Sequence, residues 1–116
     1  MKYLYDDSSI KISKLITNQY STSFSFSSRL LKKDIRMAIY SIYGFVRLAD
    51  EIVDSFHDYD KETLLNQLQV DYKNAIENKI SINPILHSFQ KVYHEYNFEP
   101  YLVDKFFESM KMDLHS

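Results

Sequence analysis

A single glycine and two prolines in 116 residues leave this chain few means of making tight turns. Sheet folds spend both residue types on frequent turns, so their scarcity argues for helix. The apolar residues agree, recurring at helical spacing in several segments. About six helices, joined by short links, predict an all-α helical bundle. The first is expected over residues 9–18, with Ile10, Ile12, Leu15 and Ile16 as its apolar positions. After a loop comes a short helix over 24–31, then the longest over 33–55. The next starts at Asp60, a good N-cap, and carries Leu64, Leu65, Leu68, Tyr72 and Ile76. Asn83 caps another, with Pro84 at the first helical position, where a missing N–H costs nothing. Pro100 repeats that device ahead of Leu102, Val103, Phe106, Phe107 and Met110.

The length suits one small helical domain, 1–116, with a modest core. Lys and Arg number 14 against 16 Asp and Glu, a net charge of −2, which offers nucleic acid no electrostatic attraction. The absence of cysteine excludes a disulfide framework and a thiolate metal site. The N-terminal stretch MKYLYDDSSIKISKL is charged and unlike a secretory signal, and no apolar run is long enough to span a bilayer. The default expectation is therefore a cytoplasmic protein. Ten Tyr and eight Phe are read as packing groups. His57, His87, His94 and His115 show no metal-site spacing and are expected to face solvent.

The segment YGFVRLADEIVD, residues 43–54, sets several charges into an apolar helical stretch. At ~100° per residue, Arg47 lies ~40° from Tyr43, Asp50 ~−20°, Asp54 ~20° and Arg36 ~20°. These side chains form one polar stripe, while Ile35, Ile42, Phe45, Val46, Ala49, Ile52 and Val53 fill the other faces. Aspartates at i, i+4 are common on solvated helix faces, where Arg47 would simply pair with Asp50 or Glu51. Two features favour the wall of a cleft instead. Like charges at this spacing, near a helix C-terminus, are mildly destabilising, and the flanks are apolar. Carboxylates one turn apart suit Mg2+, which keeps several waters and shares a substrate phosphate. A neighbouring Arg would then contact phosphate oxygens.

The stretch YSTSFSFSSRLLKKDIRMAIYSIYGFVRLADEIVD, residues 20–54, resembles the N-terminal signature of the phytoene/squalene synthase family. The resemblance rests on a Ser-x-Ser-Phe element, an Arg, a Tyr-x-x-Tyr and an Arg-x-x-Asp-x-x-x-Asp at consistent separations. LVDKFFESMKMDL near the C-terminus is similar to a later helix of bacterial members. The family joins two isoprenyl diphosphates head-to-head through a cyclopropyl intermediate. The resemblance implies the N-terminal portion of an isoprenoid-synthase-type fold, with Mg2+ as cofactor and an isoprenyl diphosphate as substrate. It implies that Asp50 and Asp54 bind the diphosphate through Mg2+, and that Tyr43 and Arg47 contact it or help it depart. Ser21 and Ser23 match a serine element that closes over the phosphates, and Phe24 matches an aromatic lining the prenyl channel. Asp113 matches an acidic position on the later helix more loosely. On the residues alone, Ser21 and Ser23 serve equally as loop or capping groups and Phe24 as core, while Gly44 would permit a close helix contact.

One departure qualifies the resemblance. The family carries a second aspartate-rich motif on a later helix, and no copy follows Asp54. The chain is therefore expected to be the N-terminal part of a longer prenyl transferase, inactive alone, with Tyr40, Tyr43 and nearby Phe side chains uncovered. A homodimer that buries this face, and peripheral contact with a membrane, are the partner expectations. The rival readings are a non-catalytic assembly protein of the same fold and an unrelated helical interaction module.

Overall fold

A computed structural model describes residues 2–21 and 31–115. Their regular structure is entirely helical: α1 (Lys2–Tyr20), α2 (Lys33–Ser55), α3 (Lys61–Asn78), α4 (Pro84–Glu95) and α5 (Pro100–Leu114). The all-α expectation holds, and α2 occupies the expected span. The short helix expected over 24–31 falls outside the described residues, except for Leu31 in the bend before α2.

Local chemistry starts the helices where the sequence places the signals. The Asp60 carboxylate accepts from Thr63 N–H at 3.1 Å and from its hydroxyl at 2.8 Å. Asn83 accepts from the N–H groups of Ile85 and Leu86 at 2.9 and 3.2 Å, with Pro84 at the first turn. α3 ends at Lys79, which takes the left-handed φ of 58° that helix ends favour.

α2 and α4 form the middle of the bundle. α4 buries Ile85, Leu86, His87, Ser88, Phe89 and Gln90 in succession, so it is covered almost all round. Phe45 of α2 stacks on Phe89 of α4 at 4.2 Å between ring centroids. Tyr72 of α3 and Phe106 and Phe107 of α5 close round Phe45. Full burial of each Phe is worth about 1.5–3 kcal/mol, so this aromatic cluster dominates the core, as the packing reading expected.

α1 departs from expectation twice. It begins well before residue 9, because tertiary contacts hold its first turns: Tyr5 hydroxyl donates to the Ser81 carbonyl, and Asp6 pairs with His87 at 2.5 Å. Its inward face is also not the apolar one. Ser9, Ser13 and Thr17 are fully buried, whereas Ile12 and Leu15 are 37% and 55% exposed. Proximity explains the reversal. A Cβ on Gly44 of α2 would stand 3.1 Å from Ser13 Cβ and Oγ and 3.2 Å from its Cα. At that separation only small side chains fit between the helices. Gly44 thus provides the close contact expected of it. The Ser13 hydroxyl is left without a hydrogen-bond partner among the described residues.

The histidines are a further correction. His57 and His115 are exposed, but His87 is fully buried and His94 half-buried. Ser81 N–H donates to His87 Nδ1 at 3.3 Å, which leaves the proton on Nε2 facing Asp6. His94 Nε2 lies 3.0 Å from the Ile76 carbonyl. Both rings found polar partners inside, and that satisfies the condition for burying them.

Candidate diphosphate site on α2

Tyr43, Arg47, Asp50 and Asp54 lie on one unbroken helix, the first three half-buried and Asp54 exposed. Tyr40, expected to be uncovered, is only 2% exposed because α1 lies over it, with Lys14 Nζ 5.8 Å from its ring centroid. Ser21, half-buried just past α1, donates its N–H to the Thr17 carbonyl at 3.0 Å. Ser23 and Phe24 lie outside the described residues.

The Asp50 carboxyl is pushed above the usual carboxylate range. Partial burial is the main cause, and the negative charges of Asp54 and Asp113 add to it against a smaller opposing pull from Arg47. The influence of Asp113 shows that α5 carries an acidic group into the neighbourhood of the α2 pair. That through-space influence links residues far apart in sequence, and the loose match at Asp113 is its only sequence signal.

Arg47 chooses Glu51 over Asp50. Its Nη2 lies 2.5 Å from Glu51 Oε2, one turn along the same helix, and both side chains are about four-fifths covered, at 21% and 23% exposure. The guanidinium carbon sits 4.3 Å from the centroid of the Tyr20 ring. Ile16 and Leu48 complete a 120 Å³ pocket with Tyr20, Arg47 and Glu51. Sequence reasoning assigned no site role to Tyr20 or Glu51. The i, i+4 spacing from Arg47 signals Glu51, whereas Tyr20 needs the approach of α1.

An apolar surface leads away from the acidic group. Ile35, Ile39, Ile42 and Val46 lie along one side of α2, and Asp50, at the edge of that side, follows Val46 one turn later. Against them, Phe98, Leu102 and Phe106 line two hollows of 210 and 160 Å³ that share Ile42 and Phe98. A further hollow of 480 Å³, towards the start of α2 between Lys33 and Tyr96, adjoins the 210 Å³ hollow and shares Ala38, Val92 and Tyr96 with it.

A sequence model of squalene/phytoene synthase matches residues 17–116, which include Tyr20 and the whole of α2 to α5. The chain belongs to the squalene/phytoene synthase family. That is a family of prenyl transferases in isoprenoid biosynthesis, as the signature implied, and the helical architecture agrees with its fold. A search of curated proteins finds no match to this family member.

The donor set fits a particular kind of metal binding. Among the described residues, no three His, Asp or Glu side chains converge to form an all-protein cage. Two carboxylates, one of them half-buried and crowded by negative charge, instead suit an ion that keeps most of its water. Mg2+ bound by one or two carboxylates and a substrate phosphate has that character.

Proposed function

We propose that this chain forms the first diphosphate-binding wall of a head-to-head prenyl transferase that condenses two isoprenyl diphosphates. The observation that carries the reading is the continuity of Asp50 with the apolar row Ile35, Ile39, Ile42 and Val46. A prenyl diphosphate has the same two-part character, a charged head and a long apolar tail. The tail would lie along that row, whose length from Asp50 to Ile35 is about 22 Å at 1.5 Å per helical residue. The head would sit at Asp50 and Asp54.

Asp50 and Asp54 would hold Mg2+, which when bound neutralises charge on the departing diphosphate. Repulsion between these carboxylates, with Asp113 nearby, makes the site favourable to a cation. Arg47 and Tyr43 would supply hydrogen-bond donors to phosphate oxygens. Phe98, Leu102 and Phe106 keep water from the tail, and aromatic faces stabilise an allylic cation by cation–π attraction. Ser21 and Ser23 would close over the phosphates and Phe24 would line the prenyl channel. A single aspartate pair does not clamp two diphosphates, so the 116-residue chain alone is proposed to bind without turnover.

Titration calorimetry with a non-hydrolysable prenyl diphosphate tests the reading. Binding should require Mg2+ and should weaken strongly in Asp50→Asn and Asp54→Asn. Binding that is indifferent to the metal would instead favour a non-catalytic interaction module.

A further inference from the structure

We infer that Glu51 and Tyr20 form a clamp that withholds Arg47 from Asp50 and so keeps the carboxylate pair open to a divalent cation. The inference rests on the proposed cation role of Asp50 and Asp54, and adds two positioning residues to that site.

Arg47 has two carboxylates within reach on its own helix. Asp50 stands at i+3 and Glu51 at i+4, and both spacings bring helical side chains together. Pairing with Asp50 would place a guanidinium where the cation is needed and would occupy one of its two ligands. The structure shows the other choice, with Nη2 at 2.5 Å from Glu51 Oε2. Two contacts favour it. Glu51 supplies the charge-assisted hydrogen bond. Tyr20, at the far end of α1, presents its ring to the guanidinium, whose carbon lies over it at 4.3 Å from the centroid, within cation–π range. The group is thus held from two directions by elements that meet only in the folded chain, since α1 and α2 are separated in sequence. Among the described residues no ion pair joins Arg47 to Asp50. Arg47 still acts on Asp50 through space, but it does not compete for the carboxylate oxygens. Held beside the pair, it remains positioned for a phosphate that arrives with the metal.

The clamp acts through Arg47, and a double-mutant cycle isolates that route. Mn2+ alone serves as the probe, with paramagnetic broadening of backbone amide signals around Asp50 and Asp54 as the readout. Glu51→Gln should weaken Mn2+ binding about three- to tenfold, because the freed Arg47 then pairs with Asp50. In an Arg47→Gln background the same substitution should have a clearly smaller effect. Tyr20→Phe keeps the ring face and should retain wild-type affinity, while Tyr20→Leu should weaken it. A second readout needs no metal: the Arg47 Nε–H signal should carry a ring-current shift that Tyr20→Phe preserves and Tyr20→Leu abolishes. Equal effects of Glu51→Gln in both backgrounds would mean that Glu51 acts only through its own charge, overturning the clamp and leaving the cation site intact. An Arg47 signal unchanged in Tyr20→Leu would likewise overturn the clamp. Wild-type protein that shows no Mn2+ broadening at Asp50 and Asp54 would overturn both the clamp and the cation reading beneath it.

Discussion

Replacing Gly44 by Ala should pull two energetic effects in opposite directions. In an exposed helix the change would stabilise, since Ala exceeds Gly by about 1 kcal/mol in helix propensity. Here the new methyl would meet three atoms of Ser13 at 3.1, 3.1 and 3.2 Å. Carbon atoms pack favourably at roughly 3.5–4.0 Å, so α1 must retreat by a few tenths of an ångström. The Ser13 hydroxyl can rotate away, but its Cα belongs to the α1 backbone and moves only with the helix. Overpacking of this kind costs about 1–3 kcal/mol. The net change should therefore run from about zero to 2 kcal/mol of destabilisation. Ser13→Gly removes two of the three contacting atoms. The double variant should accordingly be more stable than the sum of the single changes predicts, by about 1 kcal/mol. Urea denaturation followed by circular dichroism measures all four proteins, and hydrogen exchange over residues 2–20 reports whether α1 is the element that loosens. A Gly44→Ala protein stabilised by the full propensity gain, with no coupling to Ser13, would refute the close-contact argument.

In a metal-dependent diphosphate-binding assay, Asp50→Asn and Asp54→Asn should each reduce affinity far more than Asp58→Asn, since Asp58 lies beyond α2; equal effects would count against the metal role. Burial of Asp6 raises its pKa, but the hydrogen bond from His87 and the charges of Lys2 and Lys91 outweigh this, leaving it below 3.8. Its stabilising contribution is thus present above pH 3.8 and lost as pH falls through the lower folded-state value, so Asp6→Asn should flatten that part of an acid-denaturation curve. Asn83→Ala should lower stability by about 0.5–2 kcal/mol in urea denaturation, because two N–H groups at the start of α4 lose their acceptor. The exposed apolar side chains Ile35 and Leu102, which line the 210 and 160 Å³ hollows, should drive self-association of the chain, and a sharply monomeric species by light scattering would contradict this.

Much of the architecture is decided by interactions within a few residues of one another, and these are visible in the sequence. The Asn83 and Asp60 caps, Pro84 and Pro100 at first helical positions, and the span of α2 all depend on local hydrogen bonds and backbone sterics. The stripe from Tyr43 to Asp54 follows from helical periodicity in the same way. The candidate site is legible to that extent, as a set of side chains on one helix. Its surroundings are not. Ile12 and Leu15 look like the buried side of α1 until Gly44 brings Ser13 so close that larger groups are turned outward. His87 resembles a surface residue until Asp6 and Ser81 arrive from distant sequence and satisfy both ring nitrogens. Helical spacing offers Arg47 both Asp50 and Glu51, and Tyr20, held by the docking of α1, adds a contact to the conformation paired with Glu51. Asp113 likewise influences Asp50 only because α5 packs against α2. Local propensity therefore determined where α2 to α5 begin, while tertiary contacts set the first turns of α1, and the separation and rotation of the helices decided which of their side chains meet.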